Sequence, residues 1–330
     1  MKKSGNPAKS HFGRIDAPAS TIAATEKIPD ELNIAVAIGA VAVACLSLWT
    51  ASHFDNWAIV LIAAIVFSFV NNTIFSLLHE AVHSLFHSNR KVNECFGELC
   101  AAFFPTALAF QRACHLGHHR RNRSDAELFD YYRPNDNRFL KLVQWYGILS
   151  GIYWLMAPLG CLLYLVFPWA LKSSPLRSKT TKLAQQTGVD AMLSGLDQIS
   201  GFRVRLEILV TIGIQLLLFW TLDLSVWGWF ICYAAFGFNW SALQYADHAW
   251  TVRDVRNGAW NLRVNPIVQY VFLNYHHHKA HHQNTSVPWI HLAKYVDFSE
   301  PRPSFLRVYG KMWLGPRPYS EASASNLDNI

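Results

Sequence analysis

The sequence predicts an all-α integral membrane protein: two transmembrane helical hairpins (four spans), a histidine-rich cytoplasmic cap and one re-entrant or interfacial apolar segment. Three observations carry that prediction. The 330-residue chain is 52% hydrophobic and only 15% charged, with a mean hydropathy of +0.12, too apolar for an ordinary soluble domain. Several uncharged runs are long enough to cross a hydrocarbon core of about 30 Å. Twelve of the 15 histidines fall in three short clusters or at His248.

In chain order, residues 1–32 are polar, carry Lys2, Lys3, Lys9, Arg14 and Lys27, and lack the apolar core of a cleavable signal peptide. They are expected to form a disordered cytoplasmic tail. Asn33–Ala51 is the first span, and the turn SHFDN leads into a second from Trp57 to Leu78. No breaker follows before His87, so the second helix is expected to run on to His87, a length of about 45 Å that carries its last turns out of the bilayer. Phe96–Phe110 is apolar but short and interrupted by proline, which suggests an interfacial or re-entrant element. Residues 145–171 are apolar but broken by Gly147, Gly151, Pro158, Gly160 and Pro168, and are read the same way. After a basic segment, Lys172–Arg205, two further spans are expected at Leu206–Leu222 and Val226–Tyr245. The last dozen residues, 319–330, read as a second disordered tail.

The two tight turns, at 52–56 and 223–225, contain aspartate and no lysine or arginine, whereas the N-terminus and 172–205 are basic. The positive-inside rule then places the turns outside and both termini with every histidine cluster in the cytoplasm. Positive-inside topology accounts for most of the formal charge of +7, and no basic stripe interleaved with aromatics suggests nucleic-acid binding. The six cysteines form no CxxC pair, which argues against a disulfide framework or a rubredoxin-like centre.

The clusters carry the chemistry. In NYHHHKAHHQNTSVP, His278, His281 and His282 form HxxHH, the i, i+3, i+4 spacing that puts three imidazoles on one helix face. His115, His118 and His119 repeat that spacing in CHLGHH, and His79 and His83 stand at i, i+4 in HEAVH. Imidazole suits iron, zinc, copper or nickel. With His248, nine such histidines exceed the three or four ligands of one tetrahedral zinc, and two six-coordinate metals with open positions fit better. His87 could extend the first box, and His276 and His277 could shift the register of the third. Gln244, one turn before His248, could bond a metal-bound water. Glu80, Asp125, Asp247 and Asp254 are the nearest carboxylates to accept imidazole N–H groups, the alternative being pairing with neighbouring arginines. Asn71, Asn72, Asn239 and Gln215 lie in apolar spans, where they line a channel or bond between helices.

HEAVH, HLGHH and HHHKAHH followed by NTSVPW resemble the three histidine boxes of the integral-membrane fatty acid desaturase and hydroxylase superfamily, over roughly His79 to Trp289. The resemblance implies a non-haem di-iron centre at the cytoplasmic face. Dioxygen and two electrons serve there to desaturate or hydroxylate a lipid chain. Matched by position, the implied metal ligands are His79 and His83, then His115, His118 and His119, then His278, His281 and His282. Acyl-CoA desaturases of known structure have a further ligand just after the last span, where His248 stands in YADHAW. Residues 33–318 then form a single desaturase-like membrane domain. Two iron ions are the implied cofactors, and a fatty acyl lipid is the implied substrate, with hydroxylation, ketone formation or terminal-alkene formation as alternatives to desaturation. The chain carries no flavin, haem or dinucleotide motif, so electrons are expected from an external ferredoxin, rubredoxin or cytochrome docking on the basic face. A bacterial inner membrane is the expected location. HEAVH is also HExxH, the zinc-peptidase motif, but a peptidase gives no reason for two HxxHH boxes.

Overall fold

The computed structural model describes residues 26–171 and 194–320. Most of the two expected tails (1–25 and 321–330) and most of the basic segment (172–193) lie outside the described residues. Twelve α-helices are described: α1 Asp30–His53, α2 Trp57–Val82, α3 Arg90–Phe103, α4 Leu108–Arg121, α5 Arg138–Leu149, α6 Ile152–Val166, α7 Pro168–Leu171, α8 Gly201–Thr221, α9 Val226–Ala246, α10 Pro266–Val271, α11 His278–Gln283 and α12 Phe305–Met312. Among the described residues the sheet content is one two-residue parallel pair, β1 Tyr131–Tyr132 and β2 Arg317–Pro318.

Among the described residues α1, α2 and α8 are long and apolar enough to cross a membrane, and α5 with α6 make a fourth candidate, bent by 94°. The helix α9 has 21 residues and no charge, but its tryptophans, tyrosines, Asn239 and Gln244 lower its hydropathy. Helix α1 is turned inside out relative to a soluble helix. In α1, Ala37, Ala40, Ala44 and Ser47 face the protein while Ile38, Leu46 and Trp49 face outward. Small inward residues let helix axes approach, and large outward ones suit lipid. At Gly228, at the start of α9, a Cβ would stand 2.6 Å from the Ala51 carbonyl. His53 lies 3.9 Å from Asp223. Both interhelical turns therefore share one end of the bundle, and the histidine boxes occupy the other.

Helix α1 begins three residues before the expected Asn33, because Asp30 and Glu31 suit the positive end of a helix. Helix α2 stops earlier than expected, at Val82, with Ser84 in the left-handed region at φ 63°. Distant side chains stop it. The Asn93 Nδ2 donates to the Ala81 carbonyl at 3.1 Å, and Arg112 donates to Ala81 and Val82 at 3.0 and 3.3 Å. These bonds satisfy carbonyls that a continued helix would have used.

The stretch 96–110 is a helix–turn–helix, α3 to α4, whose turn is buried at Phe103, Phe104, Thr106 and Ala107. Asn71 and Tyr233 both donate to the Phe103 carbonyl at 3.1 Å, Gln215 to Ala102 at 2.8 Å, and Thr211 to Thr106 at 2.6 Å. At the start of α4, Glu98 accepts from the Leu108 N–H at 3.2 Å and Glu207 from Ala109 at 2.6 Å. Span polar residues thus satisfy the orphan ends of both helices, which is interhelical bonding and not channel lining. Asn239 likewise donates to Ser68 Oγ at 2.9 Å, whereas Asn72 bonds within its own helix to Ser68 O. Helix α4, which carries the second box, is fixed at its root by this arrangement.

Candidate metal centre

Four elements bring the histidines together. His79 lies in the last turn of α2 and His83 caps it; His115, His118 and His119 project from α4. His248 follows the end of α9, and α11 starts at His278 to present His278, His281 and His282. The nine form two groups. His79, His83, His115, His119 and His281 make the first; His118, His248, His278 and His282 make the second. Within each group the ligand atoms lie within 4.8 Å of one another. The groups adjoin, since the His119 and His282 rings have centroids 4.3 Å apart.

The nitrogen spacings fit metal coordination. In the first group the Nε2 atoms of His83 and His115, His115 and His119, and His119 and His281 are separated by 2.9, 2.9 and 3.0 Å. In the second, His118–His248 and His282–His278 are separated by 3.2 and 3.3 Å. Two nitrogens about 2.1 Å from one metal stand about 3.0 Å apart at a right angle and about 3.4 Å apart at the tetrahedral angle. Hydrogen bonding alone does not account for the first group. His115 Nε2 and His119 Nε2 each face two partners, whereas a neutral imidazole nitrogen offers one proton or one lone pair. His79 Nε2 is buried with no hydrogen-bond partner at all. The donor set therefore fits a pair of metal ions that prefer imidazole.

Burial keeps the rings of His83, His115, His119, His248, His278, His281 and His282 neutral, with lone pairs free for a metal. Desolvation, then repulsion from neighbouring imidazoles, pushes His83 down to about 3 and His119 to about 2. His115, His248, His278, His281 and His282 are pushed well below the usual histidine range for the same reasons.

Behind the rings stand acceptors for Nδ1. His118 Nδ1 lies 2.7 Å from Glu127 Oε2, and His248 Nδ1 donates to the Gly258 carbonyl at 2.9 Å. An Nδ1–H held this way leaves Nε2 as the metal-facing atom. Asp247 is fully buried, with one oxygen 3.6 Å from His278 Nδ1, and desolvation raises its carboxyl well above the ordinary range. Glu80 is buried beside His79, its Oε1 3.7 Å from Nδ1, while its Oε2 accepts the Trp289 N–H at 3.0 Å. Glu80 thus stands behind a ring, not at an open metal face where a peptidase base would act.

Other expected residues stand elsewhere. Asp125 is exposed and pairs with Arg133 and Arg253 at 2.7 and 2.5 Å, the arginine alternative to an outer-shell role. Asp254 caps its own loop, accepting from Arg256 and Asn257 N–H groups. His87 accepts the Asn89 N–H and lies 3.8 Å from Asp30. The His276 and His277 rings lie against each other, tilted by 44° with centroids 3.9 Å apart, outside both groups. The residues that sequence reasoning missed are Glu127 and the buried pair Arg123–Asp130. Arg123 Nη1 contacts Asp130 at 2.9 Å, Tyr245 OH donates to Asp130 at 2.9 Å, and Asp130 also accepts the Trp250 N–H at 2.6 Å. This network ties the loop after α4 to the end of α9, on either side of His248.

A cavity of about 390 Å³ opens onto both groups, touching His115 of the first and His118, His248 and His278 of the second. Its walls include Phe75, Ile152, Tyr153, Met156 and Trp240, and Gln244 lines it while accepting the Tyr275 hydroxyl at 3.0 Å. Such a space, mostly apolar and ending on a metal site, suits a hydrocarbon chain. Comparison with known families gives a match to the fatty acid desaturase family over residues 55–308, more than three quarters of the chain. No curated protein matches it.

Proposed function

Because the chain belongs to the fatty acid desaturase family, we propose that it desaturates a fatty acyl chain with dioxygen at a di-iron centre held by the nine grouped histidines. The coarser statement, an oxidoreductase of the desaturase and hydroxylase superfamily acting in a membrane context, follows from family membership itself. The observation that carries the finer reading is the convergence of nine buried or half-buried imidazoles into two adjoining sets, five and four in number.

Two iron ions so held would supply dioxygen activation and two-electron oxidation of an unactivated C–H bond. The chain's own residues do the rest. Glu127 and the Gly258 carbonyl hold Nδ1 protons and so fix which nitrogen of His118 and His248 faces the site. Asp247 and Glu80 stand as outer-shell carboxylates close to His278 and His79. The mostly apolar cavity would lay a methylene run against His115, His118, His248 and His278. Electrons come from an external ferredoxin, rubredoxin or cytochrome, for which exposed Arg120 and Arg256 offer a positive face near the boxes. The boxes, both termini and that face lie in the cytoplasm under the positive-inside rule.

The same nine-histidine set would suit hydroxylation, the second reading, because the metal ions it would hold would supply either oxidation of the lipid chain. Lipid analysis after expression in a heterologous host decides between them. A new double bond is the expected product; a hydroxyl, ketone or terminal alkene redirects the assignment within the family.

A further inference from the structure

We propose that Arg121 is a carboxylate anchor, so that the lipid in the cavity is a free acid lying with its carboxyl end toward the histidines. The inference rests on the lipid-oxidising reading above and adds the head group to it.

Arg121 is the last residue of α4, three residues after His118, and it lines the cavity. Its guanidinium lies over the glycine of the second box. A Cβ at Gly117 would stand 2.8 Å from Nη1 and 2.9 Å from Nη2, so a side chain there would displace the cation. The nearest acid is Glu127, whose Oε1 is 3.4 Å from Arg121 Nε. That contact does not satisfy the fork, since both Nε and Nη2 are buried without a hydrogen-bond partner. Buried N–H donors without a hydrogen-bond partner are costly even when an acid stands nearby, and a planar carboxylate accepting from the guanidinium removes that cost. Arg121 is the sole arginine or lysine lining the cavity among the described residues.

Glu127 also fixes where the anchor stands relative to the metal site. Its other oxygen, Oε2, is 2.7 Å from His118 Nδ1, so one carboxylate spans the guanidinium and a ring of the second group. An acid held on Arg121 therefore presents the carbons next to its carboxyl group to the His118 group, and its tail runs along Val143, Ile152 and Met156. An ester or thioester carries no charge at that position and cannot engage the fork in this way.

The test is calorimetric binding of tetradecanoate, its methyl ester and tetradecan-1-ol to the full chain in lipid nanodiscs, with and without metal. Wild type is expected to bind the acid at least about tenfold more tightly than the ester. Arg121→Gln is expected to erase that preference while keeping wild-type metal content and thermal midpoint, and Arg121→Lys to restore part of it. Equal binding of acid and ester by metal-loaded wild type would overturn the anchor and leave the oxidative reading standing. A preference that survives in Arg121→Gln would also overturn it, and its disappearance on metal removal would assign the carboxylate to the metal instead. Failure of metal-loaded wild type to bind any of the three would overturn the lipid reading and the anchor with it.

Discussion

Replacing Glu127 with alanine removes the acceptor behind His118. The hydrogen bond it breaks is 2.7 Å long and joins an imidazole Nδ1 to a carboxylate that is largely buried. Hydrogen bonds to charged partners contribute about 1.5–3 kcal/mol. Without that bond, His118 is free to rotate or to place its proton on Nε2, the atom that faces His248 at 3.2 Å. The expected loss in metal affinity is about 10–100-fold, which is the range for outer-shell partners generally. The loss falls on the second group, because His79, His83, His115, His119 and His281 keep their partners. Metal content measured across a chelator titration should therefore show Glu127→Ala releasing one of its ions at a chelator concentration that wild type withstands. Glu127→Gln retains an acceptor oxygen and should fall between them. If Glu127→Ala and wild type release metal at the same chelator concentration, the outer-shell role of Glu127 is wrong.

Three further outcomes are expected. His87→Ala, His276→Ala and His277→Ala should each retain wild-type metal content, whereas His281→Ala should lose metal and product together; metal loss in any of the first three would misplace the groups. Asp130→Ala leaves Arg123, 2% exposed, as an unpaired buried cation and should cost about 3–5 kcal/mol in denaturant unfolding, against under about 1 kcal/mol for an exposed pair. Charge reversal at Arg120 and Arg256 should slow turnover supported by an acidic protein donor, with the effect shrinking at high salt. Insensitivity to both substitutions would remove that face as the docking site.

Which imidazoles come together was largely legible, because helical spacing alone decides which of them share a face. HLGHH and HKAHH sit on α4 and α11 as their i, i+3, i+4 pattern requires, and the third box took the His278 register because α11 begins there. The end of α2 was not legible, since no glycine or proline stops it. Asn93 and Arg112 stop it from elsewhere in the chain. Local spacing also could not separate Asp125 from Glu127. They are two residues apart in one loop, and the path of that loop turns one toward Arg253 and the other toward His118. The turn of the α3–α4 hairpin read as an interrupted apolar stretch. Its stability comes from Asn71, Gln215 and Tyr233, whose partners are backbone carbonyls that no sequence pattern names.

The two imidazole sets are expected to hold two ions of one redox-active metal. Elemental analysis of the purified full chain, as isolated and after anaerobic loading with ferrous iron, tests this most directly. About two irons per chain are expected, lost together with lipid oxidation in His281→Ala. One zinc per chain and no iron uptake would contradict it.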